Sequence, residues 1–387
     1  MKNVKLLNKI AKVGTDIFDK TQYNVADDIE NPDAIMVRSA AMHDMSFGPE
    51  LKAIARCGAG VNNIPVDKCA EQGIVVFNTP GANANGVKEL AICALLLAAR
   101  DVVGGVNWAN TLAGQENVAK LVEKGKSQFA GNELAGKTLG VIGLGAIGGM
   151  VANAAHNLGM KVIGYDPYVT VEGAWRLSRA VRKASSYDEV YAHADYISVH
   201  VPSTPETKGM FCEENFAKMN DGVRIINLSR ADLVNAADMK AALMSGKVKR
   251  YVVDFPTEET INVPGIVAIP HLGASTAESE DNCAVMAAHQ LIEYLESGNI
   301  KNSVNFPNAS MPHDGDARIC IMHKNVQNML AKISAIVSEE GLNIENMLNR
   351  SKGDYAYTII EIIGEIPATV LDKLGALDSI IKINVIK

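Results

Sequence analysis

The stretch TLGVIGLGAIGGMVANAAHNLGMKVIGYDP, residues 138–167, decides the fold. It reads as a strand, a glycine turn, a helix and a second strand. Gly143-Leu-Gly145-Ala146-Ile147-Gly148 is a GxGxxG that follows the first strand and opens the helix, and Asp166 stands at the end of the next strand, 23 residues after Gly143. Glycines at these positions let the backbone approach a pyrophosphate at the helix N-terminus, where free N–H groups and the helix dipole favour an anion. A carboxylate at Asp166 accepts from the adenosine ribose hydroxyls and repels a 2′-phosphate, so the expected cofactor is NAD rather than NADP. Just upstream, Gly131-Asn-Glu-Leu-Ala-Gly136-Lys137-Thr138 matches the phosphate-loop pattern GxxxxGKT. It leads into a strand, whereas a working phosphate loop leads into a helix, so it is read as a chance match.

Working outward, strand-like runs recur at ADYISVHVP (194–202), VRIINLSR (223–230) and RYVVDF (250–255). Helix-compatible pieces such as CEENFAKM (212–219) and AADMKAALMSG (236–246) separate them. This alternation implies a parallel sheet with helices on both faces. Towards the N-terminus, PDAIMVRSA (32–40), LKAIARCGAG (51–60) and GIVVFNTPG (73–81) each read as a strand entering a loop, which predicts a second α/β region. Residues 86–110 are predicted as one long helix, apolar on nearly all sides over Leu90–Ala99 and hence buried. The segment 275–299 opens with Ser and Thr caps and acidic residues and keeps helical periodicity. SVNFPNASMPHDGD (303–316), with two prolines and many turn residues, reads as a linker. From Ala317 the order is strand, helix, strand, strand, helix, strand, a ferredoxin-like βαββαβ module.

The expected fold class is therefore α/β: a Rossmann-type doubly wound parallel sheet, a second flavodoxin-like α/β domain and a C-terminal ferredoxin-like α+β module. The expected boundaries are 1–101 with 275–305 for a discontinuous substrate domain, 102–274 for the dinucleotide domain, 306–315 for the linker and 316–387 for the terminal module.

Composition narrows the function classes. The chain has 387 residues, 48% hydrophobic and 21% charged, which excludes disorder over most of its length. A net charge of −7 argues against general affinity for nucleic-acid phosphates. The longest apolar run, Leu90–Ala99, falls well short of the ~20 residues of a membrane span. The opening MKNVKLLNKIAKVG is basic but lacks a long apolar core, so no secretory signal is expected. Cys57, Cys69, Cys93, Cys212, Cys283 and Cys320 are scattered without a CxxC. That pattern suits reduced thiols in a cytoplasm and predicts neither a disulfide scaffold nor a metal site.

Three further points fall at predicted strand ends, where ligands bind in open α/β sheets. Arg230 follows IINLS, Glu258 and Glu259 follow VVDFPT, and His271 follows IVAIP. Histidine, arginine and a carboxylate suit hydride transfer to a 2-keto acid. An imidazolium donates a proton to the carbonyl oxygen as the hydride arrives. A guanidinium holds the substrate carboxylate in a fork and polarises the ketone. A carboxylate beside the imidazole favours its protonated form and orients the ring.

The motifs GLGAIG with GYDP, HVPSTPETKG, INLSRADLV, VDFPTEE and PHLGAST resemble the D-isomer-specific 2-hydroxyacid dehydrogenases over nearly all of residues 32–305. The resemblance implies Arg230, one of Glu258 and Glu259, and His271 as the catalytic set. It implies a cofactor site that includes Val201 and Pro202 on the adenine side, Leu228, Ser229, Gly273 and Ala274, with Asp254 at the nicotinamide amide. MVRSA and ARCGAGVNNI near the N-terminus, with the terminal module, point within that family to a phosphorylated acid. The activity so implied is NAD-dependent oxidation of D-3-phosphoglycerate to 3-phosphohydroxypyruvate, with Arg38, Arg56 and the backbone at Ala59, Gly60 and Val61 holding the substrate. The module resembles an ACT domain, which implies L-serine as an effector at His323, Asn325 and Asn343, the first two in a strand-to-helix loop. A homodimer or tetramer is the family expectation, with no nucleic-acid or membrane partner.

Three departures stand out. Ala231-Asp232 replaces the glycines that usually follow the arginine, and one residue is missing from the family's D-V-F-x-x-E, which leaves Glu258 and Glu259 both open. Val326-Gln327-Asn328 stands where the family's effector loop has Arg-Pro-Gly. The rival readings are a glyoxylate or hydroxypyruvate reductase or another D-2-hydroxyacid dehydrogenase, and a NAD-responsive binding protein of the corepressor kind.

Overall fold

The structure, a computed structural model, describes residues 1–386. The chain forms two compact units, Ala84–Ser279 and the remainder, which holds residues 1–83 and the chain from Glu280 onward.

In the unit Ala84–Ser279, seven strands form one parallel sheet. They are β6 (Thr138–Ile142), β7 (Lys161–Tyr165), β8 (Arg182–Lys183), β9 (Tyr196–Val199), β10 (Val223–Asn227), β11 (Val248–Val253) and β12 (Ile266–Ala268), in the order β12-β11-β10-β9-β6-β7-β8. The order reverses at the β6/β9 junction, which makes this the doubly wound arrangement that the glycine turn predicts. Register brings the carboxyl ends level: Ile142 pairs with Tyr165 and Val199, Val199 with Asn227, and Asn227 with Val253. Both faces are covered. Leu139, Val141, Tyr196 and Val252 pack with helices Ala84–Ala99 and Ala146–Asn157 on one side. Ile142, Ile197, Ile225 and Val253 pack with helices Tyr187–His193, Glu213–Ala217 and Ala236–Ser245 on the other. Hence the strands read as near-continuous apolar runs.

The other unit carries a five-stranded parallel sheet: β1 (Lys2–Leu7), β2 (Tyr23–Ala26), β3 (Ala34–Val37), β4 (Ala53–Arg56) and β5 (Val75–Phe77), in the order β2-β1-β3-β4-β5. This is the flavodoxin-like order. Its strands β1 and β2 were not expected: only Val4 of β1 is buried, so KNVKLL carries little alternation to read. The same unit contains β13 (Ala317–Lys324), β14 (Ile344–Lys352), β15 (Tyr355–Ile362) and β16 (Ile380–Ile386), an antiparallel sheet ordered β14-β15-β13-β16. One face of that sheet packs on helices Met329–Glu339 and Ala368–Gly375 through Ile319, Ile321, Ile360 and Ile362. The opposite face, with Cys320, Met322, Tyr357 and Ile359, joins the core formed by Tyr294, Leu295 and Phe306. The ferredoxin-like order is as expected.

Three expectations need correction. The predicted helix 86–110 is two helices, Ala84–Ala99 and Val102–Asn110. Asp101 breaks it by accepting from the Gly104 N–H and pairing with Arg250 at 2.8 Å, which satisfies a new helix start. The first helix is buried on one face only: Ala91, Ala94, Leu95 and Ala98 face the core while Cys93 and Leu96 are exposed. Small residues on the buried stripe allow close packing against Gly148, Val151, Ala152 and Ala155 of the neighbouring helix. Finally, His323 lies in β13 rather than in a loop, and is buried.

Within residues 303–316, Phe306 and Ala309 are fully buried, and Ile300 bridges Ala309. All six cysteines are free. Among the described residues no helix is long and apolar enough to cross a membrane.

Candidate active site

The level strand ends of the seven-stranded sheet gather most of the expected site on one edge. Gly143 follows β6, Asp166 follows β7, Val201 and Pro202 come just after β9, Arg230 just after β10, Asp254 after β11 and His271 just after β12.

At the β6 turn, Gly143 takes φ +86°, a left-handed conformation that suits glycine, and its N–H donates to Tyr165 O at 2.9 Å. A Cβ on Gly143 would lie 2.6 Å from His200 O, and one on Gly148 only 1.9 Å from Gly143 O, so backbone packs directly on backbone at both positions. A Cβ on Gly145 would meet nothing within 4 Å. The helix Ala146–Asn157 begins there with no side chain capping its first N–H groups. An open approach at Gly145 and uncapped donors fit a dinucleotide pyrophosphate. Asp166 holds the turn: its Oδ2 accepts from Leu144 N–H and its Oδ1 from Tyr168 N–H, both at 2.8 Å. Each oxygen keeps a second lone pair for a ribose hydroxyl. Val201 flanks the turn, its Cγ1 2.9 Å from the position a Cβ on Gly143 would take, and Pro202 O accepts from Thr207 Oγ1.

Beneath the turn lies His200, which the sequence reading passed over. Its Nε2 is 2.8 Å from Ser198 Oγ, its Nδ1 is buried without a partner, and burial pushes its pKa down to about 4. It is therefore a neutral imidazole at pH 7.

Arg230 is positioned by Asn227, a fully buried residue also missed from sequence. Asn227 Oδ1 accepts from the N–H groups of Ser229 (3.1 Å) and Arg230 (3.3 Å), and its Nδ2 donates to Arg230 O at 2.8 Å. The signal was present in Ile-Asn-Leu-Ser-Arg: asparagine at a strand end turns the chain by bonding the backbone two residues on. Ser229 Oγ donates to Val199 O, and Leu228 is buried. Asp232, the departure two residues past the arginine, accepts from Ser203 Oγ at 2.6 Å and so ties this loop to the one after β9.

His271 takes φ +54°, a left-handed backbone that costs a β-carbon residue about 1–2 kcal/mol. Asp254 holds that turn. Its Oδ1 accepts from Leu272 N–H at 2.7 Å and its Oδ2 from Gly273 N–H at 2.8 Å. Burial raises the Asp254 pKa, and these two N–H groups oppose the rise. The residue expected at the nicotinamide amide thus spends a lone pair of each oxygen on the His271 turn; Ala274 continues the same turn.

The expected carboxylate–imidazole pair is not made: neither Glu258 nor Glu259 forms a hydrogen bond or ion pair with His271 among the described residues. Thr257 N–H donates to Thr260 Oγ1 and Thr260 N–H to Thr257 O, closing a turn that carries both glutamates, and Glu259 lines a cavity with Asp232 and Phe255. Instead Phe255 lies against His271, ring centroids 4.6 Å apart, and the Arg230 Cζ stands 5.7 Å from the same ring.

In the other unit, Arg38 follows β3 and pairs with Glu280 at 2.5 Å. Arg56 ends β4, with its Nε buried and unpartnered and its Nη1 donating to Cys57 O. Burial lowers the Arg56 pKa, and the positive charge of Arg38 adds to this. A Cβ on Gly58 would lie 1.2 Å from Arg56 Nη1, so that guanidinium needs the glycine. Ala59 O accepts from Asn78 Nδ2, and Val61 O accepts from Ile64 N–H, with Gly60 between them.

The effector residues expected in the C-terminal module are not brought together as ligand donors. His323 uses both ring nitrogens within the module, against Lys324 O (2.8 Å) and Thr358 Oγ1 (2.9 Å). Asn325 Nδ2 donates to Gly353 O, and Asn343 is exposed just before β14. Asn328, which stands where the family's loop has glycine, takes φ +65°, a left-handed conformation that asparagine tolerates.

The family profile described as "D-isomer specific 2-hydroxyacid dehydrogenase, NAD binding domain" matches residues 95–273. A D-3-phosphoglycerate dehydrogenase of Haemophilus influenzae is 31% identical over 353 residues, covering 87% of this chain and 82% of that protein. One of Mycobacterium leprae is 36% identical over 296 residues, 74% of this chain, and the chain matches about half of that longer protein's length (53%). The crystal structure of NAD+-bound 3-phosphoglycerate dehydrogenase from Entamoeba histolytica superposes with a TM-score of 0.61 at 27% identity, covering 79% of this chain and 98% of that one.

Proposed function

Because the chain belongs to the D-isomer-specific 2-hydroxyacid dehydrogenase family, we propose that it oxidises D-3-phosphoglycerate to 3-phosphohydroxypyruvate with NAD, the first step of L-serine biosynthesis. The observation that carries this reading is the convergence of Arg230 and His271 on one aromatic ring at the strand ends that also carry the glycine turn. Bound NAD supplies the hydride acceptor. Gly143, Gly145, Ala146, Ile147 and Gly148 hold its pyrophosphate and Asp166 its ribose.

Arg230 holds the substrate carboxylate through its guanidinium fork and polarises the adjoining C–O bond. His271 accepts the hydroxyl proton in oxidation and returns it in the reverse direction. Glu258 and Glu259 stand in the turn after β11, and one of them is assigned as the carboxylate that pairs with the imidazole when substrate is bound. The phosphate falls to Arg38 and Arg56, and the unpartnered Nε of Arg56 supports an anion there. We assign a substrate domain to 1–101 with 275–305, a NAD domain to 102–274, a linker to 306–315 and an ACT-like regulatory module to 316–387. The exposed apolar side chains Leu96, Val102, Val103 and Val106 support a homodimer, and six free cysteines support a cytoplasmic enzyme.

The test is NADH consumption with 3-phosphohydroxypyruvate beside glyoxylate, hydroxypyruvate and pyruvate, with and without L-serine. Preference for the phosphorylated acid supports the reading. Equal activity on an unphosphorylated acid returns Arg38 and Arg56 to structural roles, and NADH binding without turnover favours the corepressor-like alternative. Arg230→Ala should lower kcat/KM by roughly 10²-fold or more; near-normal kinetics would remove Arg230 from the site.

A further inference from the structure

In Asp254-Phe255-Pro256 the aspartate fixes where the ring that follows it lies. Asp254 binds the N–H groups of Leu272 and Gly273, so the residue after it, Phe255, is set beside the residue before them, His271. The two rings lie 4.6 Å apart at 49°, and Arg230 Cζ is 5.7 Å from the Phe255 centroid, inside the roughly 6 Å range of a cation–π contact. Among the described residues no carboxylate hydrogen-bonds or ion-pairs with the imidazole, and the nearby Asp254 carboxylate acts on it only through space. The side chain in contact with both functional groups is aromatic.

We propose that Phe255 is the positioning residue of this active site, a ring that holds the Arg230 guanidinium and the His271 imidazole at a fixed spacing. The inference rests on the roles assigned above to Arg230 and His271. The negative face of the ring attracts the guanidinium and its surface packs against the imidazole, so one ring can fix the spacing of the two groups. The His271 backbone is already held in a left-handed conformation, so its side-chain direction depends on what the ring meets. A cavity of about 250 Å³ lined by Phe255, Thr257 and Glu259 adjoins the ring.

The experiment compares Phe255→Leu with Phe255→Tyr in the full chain. The first readout needs no turnover: ring signals of labelled histidine, with the His271 signal identified by its loss in His271→Gln. Leucine removes the ring current and should move that signal, and tyrosine should restore it. The second readout is kcat and KM on whichever 2-keto acid the wild type reduces. Leucine should lower kcat/KM roughly 2- to 30-fold, with kcat carrying most of the loss, and tyrosine should recover it. An unmoved His271 signal in Phe255→Leu overturns the proposal, as does a kcat within two-fold of wild type. A wild type inactive on 3-phosphohydroxypyruvate overturns the proposed substrate instead, and the histidine signal still decides the role of Phe255.

Discussion

At His200 one side chain couples the cofactor turn to pH. Its main chain and Cβ pack against Gly143 and Gly148, and burial holds its pKa near 4 against 6.5 for a free imidazole. Between those values the unfolded chain binds a proton that the folded chain does not, so stability rises with pH across the interval. His200 therefore contributes no penalty above about pH 6.5 and a growing one as pH falls towards 4. His200→Gln should narrow the loss of stability between pH 7 and pH 5, read as the shift in urea midpoint at the two pH values. An equal shift in wild type and variant would mean that folding does not lower the His200 pKa. Nothing in HVPSTPETKG announces this role. It follows from the histidine standing under a turn formed some sixty residues earlier in the chain.

At the scale of the element, the glycine turn separates what glycine does for folding from what it does for binding. Gly148 is required for packing, because its Cβ would strike Gly143 O. Gly145 has open space around it and backbone angles (φ −67°, ψ −159°) that other residues adopt. Gly145→Ala should leave thermal stability within about 0.5 kcal/mol of wild type, the usual range for a substitution away from packing contacts. It should nevertheless weaken NADH binding, measured by NADH fluorescence titration, because the methyl group occupies the pyrophosphate approach. Unchanged NADH affinity would place the dinucleotide elsewhere. GxGxxG with its flanking strand and helix was legible because every requirement is local in sequence. The break at Asp101 was less so, because its partner Arg250 is 149 residues away.

At the scale of the whole molecule, the C-terminal sheet is fastened by one buried ion pair. Arg318 and Glu361 are fully buried and 2.6 Å apart. Arg318 also donates to Ser297 O and Asn299 Oδ1 at the end of helix Ala277–Ser297, and to Met311 O and Pro312 O in the connecting segment. Removing one partner leaves a buried charge uncompensated. Arg318→Met should therefore cost about 3–5 kcal/mol in chemical denaturation, and Arg318→Met combined with Glu361→Gln should cost less than the sum of the two single changes. Strict additivity would show that the two charges do not act as a pair. The expectation of a linker came from two prolines and turn residues, which report local conformation. That the segment is packed around a guanidinium depends on Arg318, whose role ARICIMH does not reveal.

The sequence by itself determined the three sheets apart from strands β1 and β2, the dinucleotide turn and the candidates Arg230 and His271, because periodicity, glycine spacing and strand-end placement are local properties of the chain. Only the tertiary structure decided what these residues touch. It set Phe255 rather than a glutamate against His271, gave Asp254 the task of holding the His271 turn, and closed both His323 nitrogens within the module. Each of these depends on a hydrogen bond or ring contact between segments distant in sequence, or on a turn that fixes which side chain reaches the partner. Residue type and spacing specify which groups are available, and packing selects among them.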